Sequence, residues 1–276
     1  MGKLTKAEIK AHNRAKDLLS LDRDLTQDEI FQVIDGWHEG ASHSNAAHSA
    51  FFTPYELAMH LALEAPGRGR ILDLCSGIGI LSLAIRMHNE QTPGDIEFTL
   101  VELNSDYCDV ARKLLPDATV ICGSIFDEET IRKVGDNFDF VVSNPPFGAN
   151  NTAIGNGPRY RGKMCEYSVI DIASDLASAG AFILPQNSTP FRLSGPSQKV
   201  IAPEYRTPAY CKFTEVTGIE LEPNMGIDTS FANKLWRGTT VSTEIALCDF
   251  EDLQAKRRLP IQDHSQNYDL FSLMAA

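Results

Sequence analysis

The chain has 276 residues, 37 acidic and 25 basic, giving a formal net charge of −12. This length accommodates one large domain with a small addition, and no apolar run reaches the ~20 residues that span a bilayer. The acidic balance argues against a uniformly basic nucleic-acid coat but leaves local basic patches open.

The opening stretch, MGKLTKAEIKAHNRAKDLL, is polar and helix-forming. It lacks the apolar centre of a signal peptide, and Lys6 stands where a myristoylation signal carries Ser or Thr. The expectation is a cytoplasmic protein with no membrane partner. Thr5-x-x-Glu8 and Thr26-x-x-Glu29 are capping boxes. Ile30, Val33, Ile34 and Trp37 follow the second as an amphipathic stripe. Residues 1–48 therefore read as a helical extension, ending in the small polar connector GASHSNAAHSA (40–50). A helix is expected to start at Thr53-Pro54, with Pro54 in its first turn.

From residue 70 the pattern alternates between strands and helices. Strands are expected at RILDL (70–74), FTLVEL (98–103), TVICGSIF (119–126), FDFVVS (138–143) and GAFILPQ (180–186). Helices are expected at ILSLAIRMHNE, SDYCDVARKLL and MCEYSVIDIASDLAS. This rhythm implies an α/β fold, a doubly wound, mostly parallel sheet with helices on both faces. Residues 188–240 are rich in proline and read as an irregular insertion with one strand. TVSTEIALCDFE (240–251) alternates as a late sheet strand, and 251–276 is a polar tail. The resulting division is 1–48, a catalytic domain over 49–250, and the tail. There is no internal repeat.

The six cysteines, at 75, 108, 122, 165, 211 and 248, form no CxxC pair, and His38, His43 and His48 share no helix face. No metal site is expected. The cysteines read as small buried hydrophobes of a reducing compartment.

Two constellations carry chemistry. DLCSGIGILSLA (73–84) is a strand, a glycine turn and a helix, in which Gly77 and Gly79 let the backbone approach a ligand. Asp73, ending the strand, can bind the ligand or orient the loop. Glu102, ending the second strand in VELN, is placed for ribose hydroxyls. A nucleotide-dependent oxidoreductase would also use these parts. The second constellation, SNPPFG (143–148), follows an apolar strand. Its prolines stiffen Asn144 and Pro145 in extended geometry and donate no competing N–H. The Asn144 side-chain oxygen and the Pro145 carbonyl can both accept hydrogens of a planar amine, and Phe147 can stack on its ring.

Together these motifs resemble the class I S-adenosylmethionine-dependent methyltransferases. DLCSGIG resembles the first family motif and VELN the second. FFTP (51–54) and SNPPF resemble the corresponding segments of the adenine-N6 DNA methyltransferases. The motif order is similar to the gamma group, orphan or phage-like members and Type I modification subunits included. The resemblance covers residues ~51 to ~190. It implies a Rossmann-like, seven-stranded sheet and S-adenosylmethionine as cofactor. The implied cofactor residues are Phe52, Thr53, Asp73, Ser76, Gly77, Gly79, Glu102, Leu103, Ser124, Ile125 and Asn144. The implied catalytic residues are Asn144, Pro145, Pro146 and Phe147. Ser124 departs from the family pattern, which places an aspartate there for the cofactor adenine; Asp127 lies three residues on.

The implied activity is methyl transfer to the N6 amine of adenine in DNA, after the base is flipped from its stack. The alternatives are a ribosomal RNA adenine-N6 methyltransferase, a release-factor glutamine N5 methyltransferase, and a scaffold that has kept the fold without activity. Arg159, Tyr160, Arg161 and Lys163 are candidates for phosphate contact and base stacking. Target recognition falls to residues 188–240, the N-terminal helices, a dimer mate or a partner subunit.

Overall fold

The computed structural model describes residues 4–38, 51–90, 95–147, 155–237 and 241–258. The connector over 40–50 with His43 and His48, Gly148 of the SNPPFG stretch, and the tail beyond 258 lie outside the described residues.

Both N-terminal capping boxes form. Helix α1 (Lys6–Leu19) and helix α2 (Gln27–Gly36) each begin behind a threonine whose hydroxyl accepts from the third backbone amide, with the glutamate reaching back to the cap. The apolar stripe packs Val33, Ile34 and Trp37 into the same core cluster as the sheet residues Ile71 and Phe140. Lys113 fastens the extension further, its ammonium donating to the carbonyls of Leu21 and Arg23. The extension thus shares the core of the rest of the chain. Helix α3 (Tyr55–Ala62) starts one residue later than expected, with Pro54 as its N-cap.

Strand β1 (Gly69–Leu74), helix α4 (Ile80–His88), strand β2 (Ile96–Glu102), helix α5 (Ser105–Leu114) and strand β3 (Thr119–Cys122) follow in alternation. The third strand is shorter than its apolar sequence suggested. After Cys122 the chain leaves the ladder at Gly123, where a Cβ would come within 2.4 Å of the Thr130 hydroxyl. Helix α6 (Glu128–Val134), which the sequence reading did not identify, is capped by the Asp127 carboxylate. Strand β4 (Phe138–Ser143), helix α7 (Cys165–Leu176) and strand β5 (Ala177–Pro185) complete the parallel part.

The 188–240 region is more ordered than its prolines implied. It holds a hairpin of strands β6 (Phe191–Arg192) and β7 (Lys199–Val200), helix α8 (Pro208–Thr217) and strand β8 (Glu222–Pro223). Pro208 falls in the first turn of α8 behind the Thr207 cap, where its missing N–H costs nothing. Strand β9 (Thr243–Asp249) and helix α9 (Glu251–Arg258) close the described chain.

The main sheet has seven strands in the order β3-β2-β1-β4-β5-β9-β8. All pairings from β3 to β5 are parallel, whereas β9 runs antiparallel to both neighbours. Both faces of the sheet are covered, as a mainly parallel sheet requires. Alternate β5 residues go to opposite cores: Ala181 and Ile183 join the cluster under α1–α5, while Phe182 and Leu184 join that of α7 and α8. The chain winds outward from β1 to β3, then returns to start β4 on the other side of β1. This reversal between β1 and β4 opens a crevice at their carboxyl ends, where ligands bind in doubly wound sheets.

Replacing the Thr26 cap is expected to lower stability by about 1 kcal/mol. Urea unfolding of Thr26→Ala beside Lys10→Ala, an exposed helical site, checks this; equal midpoints for the two variants would remove the cap from the account.

Candidate active site

The carboxyl edge of the sheet brings the two sequence constellations together. In the glycine turn Cys75, Gly77 and Gly79 all take positive φ, at 59°, 56° and 85°. The first is unusual for a residue with a Cβ. Alternating backbone handedness curls the loop so that amides face inward. The Gly77 amide donates to Glu102 Oε2 at 2.9 Å, and the Asn104 amide donates to Glu102 Oε1 at 2.8 Å. One carboxylate therefore ties the turn after β1 to the start of α5.

Asp73 works beneath this loop. It is fully buried, and its Oδ2 accepts from the Ser82 hydroxyl at 2.8 Å and the Ser82 amide at 3.3 Å. Burial pushes its carboxyl up to about 7, the Ser82 hydrogen bonds oppose that rise, and the nearby Glu102 charge adds to it.

A cavity of about 210 Å³ lies over the turn. Phe52, Thr53, Ser76, Gly77, Glu102, Leu103, Ser124, Ile125, Asn144, Pro145, Pro146 and Phe147 all line it. Two expected cofactor residues do not. Asp73 is spent on orienting α4, the second of the two roles its position allowed. Gly79 is the left-handed N-cap of α4 and backs onto Leu100 and Leu115, leaving no room for a Cβ without displacing them.

In the SNPPF segment the Asn144 amide nitrogen donates to the Thr53 hydroxyl at 2.8 Å and to the Phe51 carbonyl at 3.3 Å. A backbone carbonyl can only accept, so the nitrogen must face it. Asn144 Oδ1 is consequently left over: it is buried, with no hydrogen-bond partner among the described residues. Phe147 stands beside the cavity, edge-on to Trp236 with ring centroids 6.4 Å apart.

The sequence reading missed several lining residues. Phe51, Cys75, Asn104, Tyr107, Phe126 and Cys165 also face the cavity. Asn104 and Tyr107 sit at the start of α5, and Cys165 opens α7. The helix starts that follow strand ends could have pointed to them, since parallel strands place those starts around the crevice. Of the two candidates for the cofactor adenine, Ser124 lines the cavity. Asp127 accepts from the Thr130 amide and hydroxyl as the α6 cap and does not line the cavity.

The basic loop before α7 is only partly free. Tyr160 is 1% exposed, with its ring packed on Tyr167 and Phe213, so it presents no face to a base. The Arg159 guanidinium is bound to Asp171 at 3.0 Å and Asp175 at 2.8 Å. The Asp171 carboxylate is fully buried and also accepts the Arg159 and Tyr160 amides, so this arginine balances a core charge. Arg161 and Lys163 remain exposed.

Residues 56–156 match the family model of the methyltransferase small domain. The fold is that of class I S-adenosylmethionine-dependent methyltransferases. A structure from Listeria monocytogenes assigned to that class aligns over 89% of this chain and 81% of its own, with a TM-score of 0.52 at 12% identity. Among curated sequences, a ribosomal RNA small subunit methyltransferase C from Klebsiella pneumoniae is 29% identical over 85 residues, and one from Escherichia coli 31% over 80 residues. These segments are 31% and 29% of this chain, which spans only 23% and 22% of those relatives.

The cavity of this methyltransferase fold fits S-adenosylmethionine. Glu102 lines the cavity and would be the carboxylate to accept from the two ribose hydroxyls. Leu103, 52% exposed, and the nearby Ile125 offer apolar surface to the adenine ring. The Ser76 hydroxyl is buried and unpaired among the described residues, an open polar position on the cavity wall.

Glu102→Ala is expected to raise the dissociation constant for S-adenosylmethionine about ten- to a hundredfold, the loss of charge-assisted hydrogen bonds. Calorimetric titration reads this, and an unchanged constant would detach Glu102 from cofactor binding. Asp73 sets a pH dependence. Its raised value means that the folded state holds the proton more tightly than the unfolded chain does. The stabilisation is complete below the ordinary 3.8 and is lost as pH rises through about 7. Relative to Asp73→Asn, the wild type should therefore lose unfolding free energy between about pH 4 and about pH 7 in urea titrations, with no further loss above that. A difference that stays constant across that range would contradict an Asp73 titrating there.

Proposed function

We propose that the protein transfers the methyl group of S-adenosylmethionine to the exocyclic amine of a nucleobase in nucleic acid. The observation that carries this reading is the buried, unpartnered Asn144 oxygen on the wall of the cofactor cavity. An unsatisfied buried acceptor costs roughly 1–3 kcal/mol. Thr53 and the Phe51 carbonyl hold the amide so that this acceptor stays available.

The chemistry follows from the acceptor's needs. The lone pair of an exocyclic amine is delocalised into its ring, which makes the nitrogen a poor nucleophile. Two acceptors on the amine hydrogens, Asn144 Oδ1 and the Pro145 carbonyl, would draw the pair back onto nitrogen. Pro145 and Pro146 stiffen the backbone that carries them. Phe147 would stack on the base and fix its plane. Asn144 is neutral and takes no proton, so the site orients and polarises rather than acting as a general base. Bound S-adenosylmethionine would supply a methyl group already activated by its sulfonium and depart as the neutral thioether, while the proton lost by the methylated amine passes to solvent.

Adenine N6 in DNA is the acceptor supported by the FFTP and NPPF segments in their present order, with the base flipped to reach the cavity. A second reading, a base in ribosomal RNA, is supported by the two curated relatives named above. In either case an adjoining surface must hold the chain flanking the target, supplied by this protein, a second copy or a partner subunit.

Purified protein with methyl-labelled S-adenosylmethionine, offered duplex DNA or ribosomal RNA, tests the proposal. Transfer to one of them is expected, with kcat lowered roughly a hundredfold or more in Asn144→Ala and cofactor affinity kept. Equal rates for wild type and Asn144→Ala would overturn the assigned role of Asn144. Label in neither polymer would overturn the nucleic-acid reading.

A further inference from the structure

Beyond the cavity, the hairpin β6–β7 contradicts the rule for cross-strand pairs. Arg192 and Lys199 stand directly opposite each other in its antiparallel register. Both are exposed, and neither makes an ion pair or a side-chain hydrogen bond among the described residues. Like charges in directly opposed positions are destabilising, and an isolated two-stranded hairpin is marginal in water. A chain with net charge −12 could have placed an acid at either position and gained a cross-strand pair.

The hairpin is nevertheless held firmly. Glu244 on β9 is fully buried, yet its Oε1 accepts from the Leu193 amide at 3.0 Å, the Ser194 amide at 3.1 Å and Gln186 Nε2 at 2.8 Å. Its Oε2 accepts from the Ser194 hydroxyl at 2.9 Å, and Ser194 is bonded in turn to Thr229. Four donors offset the burial of this carboxylate, and three of them belong to the hairpin's own arm. Asp228 steadies the turn by accepting from the Gly195 amide. The sequence thus commits a buried charge to fixing a short hairpin whose exposed cations repel each other.

Its place in the fold gives that arrangement a use. Strand β5 lies beside β4 in parallel, with Phe182 paired to Ser143, so Pro185 ends beyond the strand that carries Asn144. The hairpin begins six residues after Pro185, at the same edge of the sheet as the cavity. Arg161 and Lys163 lie just before α7, whose first residue, Cys165, lines that cavity. The hairpin and the loop before α7 share one core cluster, which holds Phe191 together with Tyr160 and Cys165, so both segments bring exposed cations to the end of β5.

We propose that Arg192 and Lys199 grip the backbone phosphates of the nucleic acid flanking the target base, with Arg161 and Lys163 as a second pair of contacts at the same end of the sheet. A phosphate between the two hairpin cations turns their repulsion into paired charge-assisted contacts. Backbone gripping positions a chain without reading its sequence. The inference rests on the nucleic-acid reading of the cavity and goes beyond it in naming the surface that holds the polymer.

The test is fluorescence anisotropy of a labelled oligonucleotide carrying adenines, titrated across salt concentrations with the wild type and with Arg192→Glu/Lys199→Glu. A control of equal charge change, Arg132→Glu/Lys256→Glu, alters exposed residues on helices that border the opposite edge. The hairpin variant is expected to bind at least tenfold more weakly, and its slope of log affinity against log salt should fall by about one to two. Its affinity for S-adenosylmethionine should be unchanged, and the control variant should keep the wild-type slope. Equal slopes for hairpin variant and wild type would overturn the grip while leaving the methyltransferase reading intact. A wild type that neither binds nor methylates the oligonucleotide or RNA would overturn both.

Discussion

The architecture turns on a clamp of one asparagine amide. The Asn144 nitrogen is held by a hydroxyl and a carbonyl from the segment before α3, and its oxygen is thereby committed to face elsewhere without a partner. An amide left to itself would rotate until both ends were satisfied. Here rotation would set oxygen against the Phe51 carbonyl, two acceptors together, so the arrangement resists it. A segment 91 to 93 residues earlier in the chain thus decides the chemistry of the strand end after β4. That explains why FFTP and SNPPF belong together although they are far apart in sequence.

The rest of the edge supports this clamp. Parallel pairing of β1 with both β2 and β4 brings three strand ends to one crevice. Glu102 binds two backbone amides across it, which makes the carboxylate part of the cofactor wall and also a tie between two loops. Asp73 sits one layer down, where it steadies the first turn of α4 through Ser82. Burial raises its proton affinity because one of its oxygens has no partner among the described residues to offset desolvation. The two acids that end adjacent strands therefore do different work. Glu102 is partly buried and lines the cavity, while Asp73 is dry and faces the fold.

Much of this was legible in the sequence because local chemistry and tertiary role coincide there. The two threonine capping boxes, the β1–turn–α4 unit and the FDFVVS strand depend on neighbours within a few residues. Side chains set by distant partners were less legible. Tyr160 reads as an exposed aromatic between two arginines, but it is drawn inward by Tyr167 and Phe213, which come from two different helices. Arg159 reads as a free cation until Asp171 and Asp175, about two and three turns along α7, are seen to capture it. In the 188–240 region proline reads as irregularity in the sequence, although Pro208 opens a helix and Pro223 lies in an edge strand. Proline is accommodated at both positions because no ladder or helical bond needs its N–H.

The proposed role of Asn144 is to direct methyl transfer to an exocyclic amine of a nucleobase. Nucleoside mass spectrometry tests it most directly, on DNA and RNA from cells that lack their own adenine methylases and express either the wild type or Asn144→Ala. The expected product is a nucleoside methylated on its exocyclic nitrogen in one of the two polymers, present with the wild type and lost with Asn144→Ala. A methyl group appearing instead on a ring nitrogen, a ring carbon or the ribose, or one that survives Asn144→Ala, would contradict it.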